Sequence, residues 1–170
     1  YAAAEDTGRI VAIVHSHPDE TPAPSEADRV ACGATGLPWF IEAVARDDDG
    51  TVVAGEVRGF TPVGFQAPLL GRQFAHGVLD CYSLVRDWYK RERGIELLDF
   101  QRDDGWWEPG REGDLSMDHY AEAGFRPLQA GEDMAPGDVI LMQVRSSRAN
   151  HAGVFLGAEG LKEAPGLFSV

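Results

Sequence analysis

Cys81 stands where a glycine-containing turn, residues 74–80, gives way to an amphipathic run. Leu84, Val85, Trp88 and Tyr89 recur at helical spacing, and Gly94 follows Lys90, Arg91 and Arg93 as a stop signal, so the pattern predicts a helix opening at the cysteine. The unpaired N–H groups and positive dipole end of a helix favour a thiolate over a thiol, which predicts a lowered pKa for Cys81. Downstream, residues 149–157 (ANHAGVFLG) read as a strand with His151 near its start. Taken alone, the two residues read as a small buried cysteine and a satisfied strand histidine. They become a nucleophile and a base only through a wider pattern.

That pattern is His76-Gly-x-x-Asp80-Cys81-x-Ser83, then Pro136-Gly-Asp-Val-Ile-Leu141, then Asn150-His-Ala-Gly-Val-Phe-Leu-Gly157. The three blocks, in this order across about residues 70 to 163, resemble the NlpC-type cell-wall cysteine peptidases, a papain-like family. The resemblance implies Cys81 as nucleophile, His151 as its base and a peptide bond of bacterial peptidoglycan as target. It also implies a third polar residue about twelve positions after the histidine, which lands on Glu163 where His, Asn or Gln is usual. His76 reads either as a substrate contact or as a turn residue. Asp80 reads as structural, fixing the turn, because a negative charge beside the nucleophile opposes thiolate formation.

A second constellation lies near the beginning of the chain. Residues 9–14 (RIVAIV) form an apolar run that predicts a buried strand, delivering His15 and His17 at its end. Residues two apart on an extended segment face one side, so both imidazoles can reach one ion. Ser25 then reads as the N-cap of a helix with Asp28 at its third position and Gly36 as its stop. Two imidazoles and a carboxylate are a usual three-ligand set for catalytic zinc, with one position left for water. The plainer alternative is that Asp28 only caps the helix and the histidines sit at a loop rim. The spacing His-x-His-x7-Ser-x2-Asp resembles the JAMM (MPN) metallopeptidases. It implies His15, His17 and Asp28 as zinc ligands, with Ser25 supporting a bound water or an oxyanion. That family also needs a glutamate base upstream of the His-x-His. Only Glu5 precedes it here, so the start of the domain is expected to be missing from the chain and hydrolysis by this segment is not expected.

These readings give an α+β chain in two parts: residues 1–57 as the C-terminal portion of a JAMM-like zinc domain, 58–73 as a Gly- and Pro-containing linker, and 74–170 as a papain-like NlpC-type domain. In the last, a helix bearing the cysteine is expected to pack on a small antiparallel sheet bearing the histidine. Further strands are expected at 37–45 and 51–57 around an Asp-Gly turn at 47–50, a short helix at 116–123 carrying a surface His119, and antiparallel strands at 138–144 and 151–156. The adjacent Trp106 and Trp107 read equally as groove lining or as core cover.

Composition narrows the partners. The net charge of −13 has no basic stripe to offset it, which argues against nucleic acid and against an anionic membrane surface. No apolar run approaches a membrane span. Two cysteines are too few for a disulfide framework, and both are read as free. A JAMM-type segment followed directly by an NlpC-type domain resembles the tail-tip proteins of lambda-like bacteriophages. It implies a place at the virion tail tip, in the host cytoplasm during assembly and the periplasm or cell wall during infection. Other tail-tip proteins and peptidoglycan stem peptides are the implied partners. The competing expectation is a structural tail-tip component whose peptidase sites are vestigial.

Overall fold

The computed structural model describes residues 8–108 and 113–157. The chain divides into two compact units, Tyr1–Gln73 and Phe74–Val170.

The first unit carries strand β1 (Ile13–Pro18), helix α1 (Glu26–Thr35), strand β2 (Trp39–Arg46) and strand β3 (Val52–Phe60). They form one sheet in the order β1-β2-β3, with β1 parallel to β2 and β2 antiparallel to β3. Helix α1 begins where its sequence says it should. The Ser25 hydroxyl accepts the Asp28 N–H at 3.1 Å, and the Asp28 carboxylate accepts the Ser25 N–H at 2.7 Å, a reciprocal capping box. Gly36 ends the helix at φ 67°, a left-handed conformation that costs glycine nothing, and its N–H reaches Cys32 O at 3.1 Å. The Trp39 indole N–H donates to Thr35 Oγ1 at 2.9 Å, tying the helix end to β2. Cys32 and Ile41 are buried at the centre of this layer.

Two boundaries differ from the sequence reading. β1 begins at Ile13, not Arg9, so the histidines lie within the strand and not past its end. The cause is pairing: Ile13 N–H finds Pro38 O at 3.0 Å, and the ladder then places His15 opposite Ile41 and His17 opposite Ala43. β3 likewise runs on to Phe60, because Phe40 and Trp39 still offer partners to Gly59 and Phe60. The following residues are more than a spacer. Ala67 and Leu69 are buried, Phe65 lies under the Arg29 guanidinium at 5.6 Å, and the Gln73 N–H reaches a Glu26 carboxylate oxygen at 3.3 Å.

The second unit opens with a tight turn in which Ala75 and Leu79 exchange backbone hydrogen bonds of 3.2 and 2.7 Å, with Gly77 at φ 74°. Helix α2 (Cys81–Trp88) follows and continues as a π-helical turn, Tyr89–Arg93, that Gly94 terminates at φ 69°. After the loop that carries Trp106 and Trp107 come a short helix α3 (Leu115–His119) and an antiparallel pair, β4 (Val139–Met142) and β5 (His151–Val154). Helix α2 packs against β5, with Leu79, Val85, Trp88 and Ala152 buried. Complete burial of a side chain such as Val85 is worth about 2 kcal/mol. The Tyr89 hydroxyl donates to Gly137 O at 2.5 Å, linking the end of this helix to the approach to β4.

Candidate functional site

The first residue of α2 is Cys81, and the structure shows what fixes it there. Asp80 is the N-cap: one carboxylate oxygen accepts the Ser83 N–H at 2.8 Å and the Ser83 hydroxyl at 2.9 Å, and the other accepts the Gly77 N–H at 3.0 Å. The same carboxylate is ion-paired with Arg102, and both side chains are 4% exposed. The Arg102 side chain also donates to Asp99, Phe100 O, Gly77 O and the Ser83 hydroxyl, and its guanidinium lies over the Tyr82 ring at 5.4 Å. Arg102 carries no motif in the sequence. Only the folded loop brings it to the turn.

His151 is the first residue of β5, opposite Met142. Packing of β5 on α2 brings Cys81 and His151 to the wall of one cavity of about 820 Å³. No hydrogen bond joins Cys81 to the His151 ring among the described residues. Burial pushes the Cys81 thiol above its ordinary range, and the Asp80 carboxylate adds to this. Donation from the N–H groups of Ala152, Tyr82 and Cys81 itself opposes the rise without reversing it. The lowered pKa expected from the helix terminus is therefore corrected: desolvation outweighs the dipole.

The cavity is mostly apolar and aromatic. Trp106 and Trp107 line it, which answers the question the sequence left open in favour of a groove. His76 lines it too, its Nε2 3.0 Å from Arg102 O and its ring edge-on to Trp107 at 5.7 Å. His119, read from the sequence as a surface residue, stacks on Phe100 at 4.4 Å and also faces this cavity. Glu163 lies outside the described residues, as does Glu5.

In the first unit, β1 and the start of α1 bring the other constellation together. His15 Nε2 is 3.2 Å from Asp28 Oδ1, His17 Nε2 is 3.3 Å from Asp28 Oδ2, and the two Nε2 atoms are 3.2 Å apart. The donor set fits a metal ion. All three offer a ligand atom within 4.8 Å of one another, and His17 Nδ1 lies 3.1 Å from Thr21 O, which as an N–H donor leaves the Nε2 lone pair facing the cluster. Ser25 is placed beside it, but its hydroxyl donates to Asp28 Oδ2 at 2.7 Å.

The comparisons with known proteins agree with this division. Residues 71–166 match the NlpC/P60 family, and residues 2–54 match prokaryotic homologues of the JAB domain. The chain is 42% identical over 156 residues to tail tip assembly protein K of Escherichia phage N15, covering 92% of this chain and 60% of that one. It is also 42% identical over 156 residues to tail tip assembly protein K of Escherichia phage lambda, covering 91% of this chain and 69% of that one. The chain belongs to the tail tip assembly protein K family. No solved structure matches it. The K-family chain thus spans about three-fifths of the N15 relative's length. Among its described residues no helix is long and apolar enough to cross a membrane. What sequence reasoning missed in this K-family chain is Arg102, and the only available signal was an arginine in an acidic, aromatic loop.

Proposed function

We propose that this chain is a phage tail-tip component whose second unit hydrolyses peptide bonds of bacterial peptidoglycan, acting in local opening of the cell wall or in tail assembly. The single observation that supports this most is the meeting of Cys81, at a helix N-terminus, and His151, at a strand start, on one cavity wall. The arrangement proposed is papain-like. His151 takes the Cys81 proton, the sulfur attacks the scissile carbonyl, and an S–C bond forms as the C–N bond breaks. His151 returns the proton to the leaving amine, and water then hydrolyses the acyl-enzyme. Backbone N–H groups at the start of α2 are the proposed donors to the oxyanion, and Glu163 the proposed partner of the imidazole. His76 is proposed as a substrate contact.

For the first unit we propose a zinc site held by His15, His17 and Asp28, with Ser25 acting through Asp28. Bound zinc would supply a Lewis acid and an acidified water. No hydrolytic step is assigned to this unit. The proposed location is the virion tail tip, with other tail-tip proteins as partners.

A structural role with vestigial peptidase sites is the second reading, favoured by the burial that pushes the Cys81 thiol above its ordinary range. Digestion of purified peptidoglycan separates the two. The peptidase reading expects wild type to release stem-peptide fragments, identified by mass, and Cys81→Ala to release none. If the folded wild type releases nothing, the structural reading stands.

A further inference from the structure

We propose that Arg102 is a positioning residue for Cys81: its buried guanidinium pins, and in part offsets the charge of, the Asp80 carboxylate that immediately precedes the nucleophile. The inference rests on the peptidase reading for its purpose but not for its test.

A carboxylate beside a cysteine nucleophile is a liability, since it opposes formation of a second negative charge. This turn cannot dispense with one, because Asp80 caps α2 through Ser83 and closes the preceding turn through Gly77. Arg102 resolves the conflict from a distant loop. Its Nε meets Asp80 Oδ2 at 2.5 Å, and its Nη2 donates to Gly77 O at 2.9 Å and to the Ser83 hydroxyl at 3.2 Å, on either side of Cys81. One guanidinium therefore holds the residue before the nucleophile, the turn that leads to it and the first turn of its helix. The planar, always-charged fork suits this task, because its separate nitrogens reach Asp80, Gly77 O, Ser83 and Asp99 at once, which a single ammonium would not. Arg102 is itself held by Asp99 at 2.7 Å and Phe100 O at 2.6 Å, so its orientation is set before any substrate arrives. Its backbone carbonyl meets His76, which joins the same network to the cavity wall.

The titratable and charged groups on the wall around Cys81 are His76, Asp80 and Tyr82 from its own turn and helix, Arg102, His119, Tyr120, Arg126, Asp138 and His151. Of these, Arg102 alone is bonded to Asp80.

The test follows alkylation of Cys81 by iodoacetamide against pH in the full chain, with Cys32→Ser as background so that one thiol reports. In Arg102→Met, Asp80 keeps its three other donors and stays ionised, so its field on Cys81 is no longer offset. The expected result is a midpoint about one pH unit higher, which is about tenfold slower alkylation at pH 7. Arg102→Lys keeps the charge and should restore most of the difference. The double variant Asp80→Asn/Arg102→Met removes both charges and should return the midpoint to within about 0.3 unit of the parent. An unchanged midpoint in Arg102→Met overturns the proposal, as does a Lys variant that moves the profile as far as Met does. If Arg102→Met does not fold, Asp80→Asn decides. It removes the carboxylate next to Cys81 while the guanidinium stays, paired with Asp99, and must lower the midpoint, and an unchanged or raised value refutes the idea. None of these results depends on peptidoglycan cleavage, so failure here and failure of the peptidase reading are separable.

Discussion

Cys81, the first residue of α2, and His151, the first residue of β5, lie on the wall of one cavity. The packing of β5 on α2 sets the thiol beside the start of the strand that bears the proposed base. Burial there pushes the thiol above its ordinary range in the free protein.

Alkylation of Cys81 in the free protein should therefore rise with pH above about 8.5, the ordinary cysteine value, and not below it. Cys32, whose thiol burial also pushes up and whose Sγ–H donates to Leu37 O at 3.3 Å, should react more slowly still. In denaturant the two profiles should merge. Because the folded value is raised, the stability contributed by the neutral Cys81 thiol is whole below the unfolded value and is lost as pH rises through the folded one. A folded-state midpoint below the denatured one, read by mass spectrometry of the labelled peptides, would contradict the burial argument.

Asp80 carries the opposite pH signature. Burial works to raise its pKa, but the Ser83 N–H and hydroxyl and the Arg102 guanidinium together hold it below the usual carboxylate range. The stability it confers is present above the unfolded value of about 3.9 and is lost as pH falls through the lower folded value. Asp80→Ala should cost about 3 kcal/mol at pH 7, since it removes the cap of α2 and leaves the buried Arg102 guanidinium with the half-exposed Asp99 as its ion-pair partner. Urea titrations at pH 7 and pH 2 should show the gap between wild type and variant narrowing in acid.

The metal cluster predicts binding of about one zinc per chain, with His17→Ala lowering affinity at least tenfold because three ligands become two. Asp28→Ala should do the same and also lose about 1 kcal/mol of helix stability with the capping box. Elemental analysis and chelator competition on folded protein report the first effect, and thermal unfolding of the metal-free forms reports the second. Equal zinc content in wild type and both variants would remove the site.

Gly137 offers a test of packing away from the chemistry. It sits at φ 110°, its N–H bonds Phe155 O at 2.7 Å, and an added Cβ would lie 3.3 Å from the Trp88 ring. Gly137→Ala should destabilise the second unit by about 2 kcal/mol through backbone strain. A denaturant midpoint within error of wild type would show that the turn relaxes freely.

The parts of this protein legible in its sequence are those governed by neighbours a few positions apart. The Ser25–Asp28 capping box, the left-handed stops at Gly36 and Gly94, and the shared face of His15 and His17 are short-range consequences of helix and strand geometry, and all are present in the fold. The order of the Cys81 and His151 motifs likewise pointed to an NlpC-type unit, and residues 71–166 match the NlpC/P60 family. Tertiary structure decided what depends on distant chain. Parallel pairing with β2 drew the histidines into β1, and residues after Phe60 folded back with buried Ala67 and Leu69 where the sequence read a linker. The sign of the Cys81 shift belongs here too. A helix N-terminus favours a thiolate, but burial under the loops and strands of the second unit, with a capping carboxylate alongside, favours the thiol more. Arg102 reaches Asp80 only when the loop closes, so its part in the site was a matter of packing and not of pattern.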